Sequence, residues 1–330
     1  MKVLVVGTGS IGTRHINNLN TLGHEVYAVD INPEKLVKVS PLVLGRFSTL
    51  KQGLKINPDV AFICTFSNSH VVLALECAKA GSHLFIEKPL STNMLGIKML
   101  LKVVEEKKLV SMVGCNMRFH PAIVYMHSLL NKNLDFKKPL LADLEFGYYL
   151  PFAKPDYIKG YQAHRKMGGN LIFDGIHELD YAVWFFGVPR RVFCNKDMRS
   201  NLKMNTEDHV EMIIEFESGL VCSVRLDYLQ HGYSRRCKIV TEKATAVWDF
   251  MEKKIGVITQ KQRIWKLVDM DVELYYNKMY VDEVKYFLDS VKTGRKTFNS
   301  VWDATVVTKL GIAADRSSQS GKWECVPGGM

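Results

Sequence analysis

Three glycines near the amino terminus constrain the fold more than any other feature of this sequence. Gly7, Gly9 and Gly12 follow directly on the β-rich run Lys2–Val6 and open a segment with helical periodicity at Ile11–Leu22. A G-x-G-x-x-G sequence between a strand and a helix is typical of a loop that binds the pyrophosphate of a dinucleotide. The first glycine permits a tight turn, the second lets the backbone approach the phosphates, and the third allows close helix–strand packing. The residues predicted to line the phosphates are Gly7, Thr8, Gly9, Ser10, Ile11 and Gly12.

An acidic residue follows the next β-rich run at the spacing expected of a ribose-binding carboxylate. Asp30 comes directly after Glu25–Val29, close to the offset of about 20 residues that is typical of such a site. Its carboxylate would accept hydrogen bonds from both ribose hydroxyls and repel a 2′-phosphate, which favours NAD as the cofactor. Lys35 lies close enough in sequence to keep NADP possible. Two alternatives stay open: Asp30 caps the helix that begins at Pro33, or the glycine-rich turn binds no ligand.

The first 120 residues alternate between short β-rich runs and longer segments with helical spacing. The β-rich runs are Lys2–Val6, Glu25–Val29, Val60–Cys64, His83–Ile86 and Val110–Val113. The helical segments are Ile11–Leu22, His70–Ala80 and Thr92–Lys107. This repetition predicts a parallel sheet covered by helices on both faces, an α/β doubly wound Rossmann fold. The interval Ile31–Lys55 is poorly periodic and leaves its strand undefined.

The second part of the chain has mostly alternating runs. They are Leu141–Tyr149, Arg191–Asn195, Val210–Phe216, Leu220–Leu226, Arg236–Val240, Thr245–Phe250 and Lys254–Thr259. Helices are predicted at Pro121–Leu130, Gly168–Phe186, Tyr280–Lys292 and Val301–Ser317. The pattern predicts an α+β domain with an open, mostly antiparallel sheet. We therefore expect domains at residues 1–120 and 121–330, with the last helices able to pack back on the first domain.

Composition excludes several classes of protein. No apolar run approaches the about 20 residues of a membrane helix, so no membrane association is expected. The seven cysteines form no CxxC pair, which favours a reducing cytoplasm over a disulfide framework or zinc site. The net charge of +10 comes from short, scattered basic groups, which predicts solvated surface or attraction of an anionic ligand and no specific nucleic-acid binding. His15, His70 and His120 match no metal-ligand spacing, so no metal is predicted.

Further motifs follow one another along the whole chain. They are Cys64–His70, Glu87-Lys88-Pro89, Arg118-Phe119-His120-Pro121, Gly168-Gly169 and His177-Glu178-Leu179-Asp180. Together with the glycine loop, these motifs in this order resemble the Gfo/Idh/MocA family of oxidoreductases. The resemblance implies a Rossmann domain, an open-sheet domain, and hydride transfer between NAD(P) and a carbon of a sugar or polyol.

The resemblance also implies which residues form the site. Lys88 and His177 would act beside the substrate hydroxyl as the catalytic residues. The residues implied to join the glycine loop and Asp30 around the cofactor are Thr65, His70, Glu87 and Lys88. The residues implied to contact the substrate are Arg118, Tyr161, Arg165, Asp174 and His177. The chain departs from the family at Phe66, where proline is usual, and before the histidine, because many members carry an aspartate four residues before it, whereas Asp174 precedes His177 by three.

Elementary chemistry agrees with the two catalytic residues. When an alcohol is oxidised, a proton leaves the oxygen while the cofactor takes the hydride. Histidine suits the role of general base. Lys88 follows Leu84–Ile86 at the carboxyl end of a strand, where a lysine can stabilise negative charge on the oxygen. Pro89 fixes the next turn and the bond before it can be cis, and Glu87 either orients the nicotinamide or has a structural role.

His177 also has a structural alternative, because a lone histidine on an amphipathic helix is more often a core or interface residue. Against this, Asp174 and Asp180 flank it at i−3 and i+3 on the same face of the predicted helix, where two acids would raise its basicity. Alternatively, Asp180 pairs with Arg165 or Lys166.

The expected activity is that of an NAD(P)-dependent dehydrogenase acting on a secondary hydroxyl of a sugar, polyol or nucleotide-linked sugar, with surface-polysaccharide synthesis as one setting. The alternative is an NAD-bound sensor or scaffold without catalysis. A sheet with helices on one side would leave a wide apolar face, so a homodimer or homotetramer is expected.

Overall fold

The computed structural model describes residues 1–269 and 276–328, which form two compact units. Unit 1 comprises Met1–Asn116 and Asn277–Thr308, and unit 2 comprises Met117–Tyr276 and Lys309–Met330. In chain order the strands are β1 (Lys2–Val6), β2 (Glu25–Val29), β3 (Gly45–Phe47), β4 (Val60–Ile63), β5 (His83–Glu87), β6 (Ser111–Gly114), β7 (Pro139–Gly147), β8 (Pro189–Asp197), β9 (His209–Phe216), β10 (Val221–Asp227), β11 (Ser234–Thr241), β12 (Ala244–Asp249), β13 (Lys254–Thr259), β14 (Lys266–Asp269) and β15 (Glu324–Cys325). The α-helices are α1 (Ser10–Thr21), α2 (Pro33–Val39), α3 (Leu50–Gly53), α4 (His70–Lys79), α5 (Ile97–Glu106), α6 (Pro121–Lys132), α7 (Leu150–Ala153), α8 (Leu171–Asp174), α9 (Ile176–Phe186), α10 (Tyr276–Thr293) and α11 (Val301–Ser320).

Unit 1 is built on a parallel six-stranded sheet in the order β3-β2-β1-β4-β5-β6. Val6, the last residue of β1, pairs with Val29 of β2 and Ile63 of β4, so these strands end at the same edge of the sheet. The strand order changes direction between β1 and β4, and ligands of doubly wound folds bind at such a switch point. The predicted Rossmann fold is confirmed.

The core of unit 1 explains why its strands are continuous apolar runs. Helices cover both faces of a doubly wound sheet, so every residue of Val60–Ile63 in β4 is fully buried. Phe62 and Phe85 stack with their ring centroids 4.5 Å apart, and Phe287 of α10 packs edge-on against both. Full burial of such a ring stabilises the fold by about 1.5–3 kcal/mol. These contacts fix α10 against the unit 1 core.

Unit 2 is built on a nine-stranded sheet in the order β14-β13-β12-β11-β7-β10-β9-β8-β15. All its neighbouring strands run antiparallel except β7 and β10, which pair in parallel. Side chains alternate, as in Leu144 and Val224, which are buried, against Asp143 and Arg225, which are exposed. The α+β domain with a mostly antiparallel sheet is therefore confirmed.

The outward face of this sheet differs from its prediction. Its exposed positions on the central strands are Leu141, Asp143, Glu211, Ile213, Arg225, Arg236 and Lys238. Most of these are charged, and Arg225 and Arg236 pair with Glu145 and Asp249 on adjacent strands. The expectation of a wide apolar face is wrong for these strands, because most of their exposed residues are charged.

The predicted helix Gly168–Phe186 is also wrong, because the structure divides it. Asn170 caps α8 by accepting a hydrogen bond from the backbone N–H of Ile172, and α8 ends at Asp174, so that Gly175 separates it from α9. A Cβ atom at position 175 would lie 2.9 Å from Leu226 Cδ1 of β10. The backbone approaches the sheet at this glycine, and a residue with a side chain would require the Leu226 side chain to move.

Helix α5 begins later than the predicted Thr92. Ser91 Oγ accepts a hydrogen bond from the Asn93 N–H, Asn93 Oδ1 accepts one from the Leu95 N–H, and Gly96 has φ +77°. Short polar side chains that bind the backbone in this way favour turns over helix. In the poorly periodic interval Ile31–Lys55, the strand is the three-residue β3 at the edge of the sheet.

Candidate functional site

The three glycines of the loop between β1 and α1 have three different environments. Gly7 has φ +93°, in the region that favours glycine. A Cβ atom at Gly12 would lie 1.9 Å from the Gly7 carbonyl oxygen, whereas a Cβ atom at Gly9 would meet nothing within 4 Å. Helix α1 has no side-chain cap at Gly9, which leaves backbone N–H groups of its first turn available to an anion. The loop thus has open space and hydrogen-bond donors at the position predicted for the pyrophosphate.

Asp30 holds this loop. Its Oδ2 accepts hydrogen bonds from the Thr8 N–H at 2.7 Å and the Thr8 hydroxyl at 2.9 Å, and its Oδ1 accepts one from the Asn32 N–H at 2.9 Å. Burial acts to raise the pKa of Asp30, but the hydrogen bonds from Asn32 and Thr8 outweigh it, and the pKa lies below its usual value. The cap of α2 is the Asn32 side chain and not Asp30. A carboxylate has about four acceptor positions, so one remains for a ribose hydroxyl.

The segment Glu87-Lys88-Pro89 begins with the last residue of β5, at the same edge of the sheet. Its Lys88–Pro89 peptide bond is cis. Glu87 is buried, and its Oε2 accepts a hydrogen bond from the Lys88 N–H at 3.3 Å. His70 places one ring nitrogen 2.8 Å from the Pro89 carbonyl oxygen and the other 3.0 Å from that of Thr65. The structure therefore brings together four of the residues predicted around the cofactor.

In unit 2, three tyrosines surround the carboxylate of Asp174. Tyr228 donates a hydrogen bond to Asp174 Oδ2 at 2.7 Å, and Tyr161 donates one to Oδ1. Tyr148 is the third, and its ring lies 5.3 Å from that of Tyr228. Burial, followed by the negative charge of Asp174, raises the pKa of all three tyrosines far above the usual value. We call Asp174, Tyr148, Tyr161 and Tyr228 the Asp174 cluster.

His177 lies next to this cluster in sequence, as the second residue of α9, and its side chain is half-buried. The break at Gly175 separates it from Asp174, so the two residues belong to successive helices and do not share one helix face.

The two acids that follow His177 have buried arginine partners. Glu178 accepts a hydrogen bond from Arg235 at 2.8 Å, and Asp180 forms a two-point pair with Arg118 at 2.8 and 2.9 Å. The predicted pairing of Asp180 with Arg165 or Lys166 is therefore wrong. Removing one member of such a buried pair typically costs about 3–5 kcal/mol, because the other charge stays buried. Arg118 anchors α9, and its predicted contact with substrate stays a prediction.

Arg165 is half exposed and is held by Glu207, an acid that the sequence did not single out. Arg165 Nη2 lies 3.1 Å from Glu207 Oε2, while Glu207 Oε1 accepts a hydrogen bond from the Leu171 N–H at 2.8 Å. Gly169 packs against the same loop, since a Cβ atom there would lie 2.4 Å from the Tyr161 carbonyl oxygen. This glycine therefore serves the packing of the loop on its own chain.

Two members of the Asp174 cluster were missing from the sequence prediction. Tyr148 and Tyr228 follow β7 and β10, which are neighbours in the sheet. The sequence places both tyrosines at strand ends, and only the non-local pairing of these strands brings them together.

Residues 1–269 and 276–328 contain no group of three or more His, Cys, Asp or Glu side chains arranged to hold a metal ion. In the same residues, no helix has the length and apolar character needed to cross a membrane.

Comparison with known proteins gives relatives over nearly the whole chain. Myo-inositol 2-dehydrogenase of Thermotoga maritima is 26% identical over 331 residues, covering 96% of both chains. The scyllo-inositol 2-dehydrogenase (NAD(+)) of Bacillus subtilis is 23% identical over 344 residues, covering 97% of this chain and 95% of that one.

Solved structures share the fold. A levoglucosan dehydrogenase in complex with NADH has a TM-score of 0.89 at 19% identity, with 99% of each chain covered. The WlbA dehydrogenase of Bordetella pertussis, in complex with NADH and UDP-GlcNAcA, has a TM-score of 0.83 at 20% identity and the same coverage.

Family models match both parts of the chain. Residues 1–115 match the model of the oxidoreductase family with an NAD-binding Rossmann fold, and residues 132–326 match the C-terminal α/β domain of the same family. The glycine loop and Asp30 lie in the first match, and the Asp174 cluster and His177 lie in the second. The chain belongs to the Gfo/Idh/MocA family of NAD-dependent oxidoreductases.

Proposed function

We propose that this protein oxidises a secondary hydroxyl of a cyclic polyol or sugar with NAD⁺, the residues of unit 1 holding the dinucleotide and those of unit 2 the substrate. The observation that carries the proposal is the Asp174 cluster. It offers one carboxylate and three neutral tyrosine hydroxyls, and a hydroxyl that donates its proton to Asp174 still accepts hydrogen bonds from a ligand. A ligand that presents several hydroxyl groups can donate hydrogen bonds to such a set of acceptors.

The names of the relatives support the same substrate class. The two reported by sequence are inositol dehydrogenases, and one of the structural neighbours is a levoglucosan dehydrogenase. These relatives carry the names of enzymes, which favours catalysis over the sensor alternative. The neighbour bound to UDP-GlcNAcA keeps a nucleotide-linked sugar as a second candidate substrate.

In this proposal the cofactor accepts the hydride, and the chain supplies binding and proton transfer. The Gly7–Gly12 loop and Asp30 bind the pyrophosphate and the adenosine ribose, with Thr65, His70 and Glu87 beside them. Lys88 stabilises negative charge on the substrate oxygen, and His177 takes its proton. Asp174 and Tyr161 bind substrate hydroxyls, while Arg118 and Arg165 hold the segments that carry these residues.

A substrate panel tests the proposal. Myo-inositol, scyllo-inositol, levoglucosan, glucose and UDP-GlcNAcA are each incubated with the enzyme and NAD⁺, and formation of NADH is followed by absorbance. We expect turnover with at least one cyclic polyol or sugar. Its absence with all five, in protein that binds NAD, would contradict the proposed substrate class.

Two variants extend the test to the catalytic residues. Lys88→Met should lower turnover about a hundredfold or more while NAD binding is retained, and Lys98→Met, at an exposed lysine of α5, should leave it unchanged. A Lys88→Met enzyme as active as Lys98→Met would contradict the assignment of Lys88.

We also propose that the protein is located in the cytoplasm and that it forms a homodimer or homotetramer. Six of the seven cysteines are buried and all are free, as suits a reducing compartment. Leu141 and Ile213 are about half exposed on the outward face of the unit 2 sheet, between cross-strand ion pairs, which is the mixed composition typical of protein interfaces. Light scattering that finds only monomer at micromolar concentration would contradict the self-association.

A further inference from the structure

Two buried histidines of unit 1 hold the backbone on either side of Lys88. His15 of α1 and His70 of α4 are almost fully buried, with 0% and 1% of their surface exposed. Histidine is seldom buried to this degree without a polar role. Each ring reaches the Glu87–Pro89 segment from a different helix.

His15 acts from the side of Glu87. Its Nε2 lies 2.7 Å from Glu87 Oε1, while Glu87 Oε2 accepts the Lys88 N–H. The ring is wedged between Phe62 and Phe85, at centroid distances of 5.4 and 5.1 Å, which fixes its orientation. Since His15 Nδ1 has no hydrogen-bond partner among the described residues, Glu87 receives the single hydrogen bond of this ring.

His70 acts from the side of Pro89. Its two ring nitrogens face the carbonyl oxygens of Pro89 and Thr65. A carbonyl oxygen only accepts hydrogen bonds, so the ring must donate, and a neutral imidazole has one N–H with which to do so. We assign this hydrogen bond to the shorter contact, to Pro89 in the loop after β5, while the other ring nitrogen faces Thr65 in the loop after β4.

We propose that His15 and His70 are positioning residues that hold the backbone of Lys88 from both sides and thereby place its ammonium group for the reaction. The inference rests on the proposed catalytic role of Lys88. Neither histidine needs to touch substrate or cofactor for this role. A misplacement of about 1 Å can cost a reaction about a hundredfold in rate. Hydrogen bonds that hold the backbone of Lys88 can therefore affect turnover as strongly as contacts between Lys88 and the substrate.

The effect of His15 and His70 on the backbone around Lys88 can be measured without a substrate. Hydrogen exchange of the peptide spanning residues 84–91 is compared by mass spectrometry in wild type, His15→Phe and His70→Phe, with His15→Gln and His70→Gln as variants that keep an N–H donor. The control is His83→Phe, because His83 hydrogen-bonds to the Val110 N–H at the opposite end of β5. We expect exchange at Lys88 and Leu90 to rise about tenfold in the Phe variants, less in the Gln variants, and not in the control. Unchanged exchange at these amides in both Phe variants, or an equal rise in the control, would overturn the proposal.

A double-mutant cycle tests whether the histidines act through Lys88. On a substrate found in the panel, His15→Phe and His70→Phe should each lower kcat about ten- to a hundredfold with little change in the KM of that substrate, and the Gln variants should recover part of the loss. In a Lys88→Met background the same changes should cost less than about threefold, because the group they position is gone. Losses of equal size in both backgrounds would overturn the proposal. If Lys88→Met alone leaves kcat intact, the proposed function of Lys88 fails instead, and the exchange measurement still decides whether the histidines hold the segment.

Discussion

Alanine at two of the loop glycines should have opposite effects, which separates the binding role of the loop from its packing role. At Gly9 the backbone is extended, with φ −66° and ψ −168°, and an added methyl group would meet no protein atom within 4 Å. At Gly12 the same methyl group would lie 1.9 Å from the Gly7 carbonyl oxygen. Real Cβ atoms essentially never come within 3.0 Å of a heavy atom outside their own and the adjacent residues. The start of α1 must therefore move by more than 1 Å to accept the methyl group.

The magnitudes follow from this geometry. Gly9→Ala should leave the free energy of unfolding unchanged or raise it by about 0.4–1 kcal/mol, because alanine restricts the unfolded chain and fits the native backbone. Gly12→Ala should lower it by about 1–3 kcal/mol, as overpacking does. If the open space at Gly9 receives the pyrophosphate, the added methyl group should weaken NAD binding about ten- to a hundredfold, or about 1.4–2.8 kcal/mol.

Thermal unfolding without cofactor and calorimetric titration with NAD measure the two effects separately. We expect Gly9→Ala to keep the wild-type Tm and lose affinity, and Gly12→Ala to unfold at a lower temperature. Wild-type affinity for NAD in Gly9→Ala would show that the phosphates do not approach this glycine. A Tm lower in Gly9→Ala than in Gly12→Ala would refute the packing argument.

Three further predictions concern single side chains. Asp30→Ala should raise the Kd of NAD more than that of NADP, measured by titration, because the carboxylate repels a 2′-phosphate; a wild type that prefers NADP would contradict this. His177→Ala should keep the wild-type Tm and lose about a hundred- to ten-thousandfold in turnover. Replacing a structural histidine would instead lower the Tm and leave turnover nearly unchanged. Burial and then Arg235 lower the pKa of His120 to about 4, below the value of about 6.5 in the unfolded chain, so its stabilising effect is present above pH 6.5 and is lost as the pH falls towards 4. Between pH 7 and pH 5 the wild type should therefore lose about 2 kcal/mol more stability than His120→Asn, which keeps a cap for α6, and equal losses in chemical unfolding would contradict the assignment.

The parts of the fold that local sequence determines were predicted closely. Strands β1 and β2 have the predicted bounds Lys2–Val6 and Glu25–Val29. They are buried between helices and bounded by glycine or polar turn residues, so the local sequence determines where each strand begins and ends. The same holds for the glycine loop, whose chemistry depends on residues adjacent in the chain.

The parts that depend on distant residues were not predicted. The helix breaks at Gly175, where the backbone lies close to Leu226 on another strand, although the sequence around it has a helical pattern. Asp180 pairs with Arg118, 62 residues away, and not with the nearby Arg165. The Asp174 cluster likewise needs the parallel pairing of β7 with β10, because charge and helical spacing do not indicate which strands are neighbours.

The Asp174 cluster has a consequence for how the enzyme should respond to alkali. Because the pKa values of Tyr148, Tyr161 and Tyr228 lie far above the usual value, their hydroxyls keep their protons throughout the range in which enzymes are normally assayed. The direction of the hydrogen bonds to Asp174 is then fixed, since the hydroxyls donate and the carboxylate accepts. A fall in turnover at high pH must therefore come from the ionisation of some other group, and replacing any of these tyrosines with phenylalanine should leave the midpoint of that fall where it is.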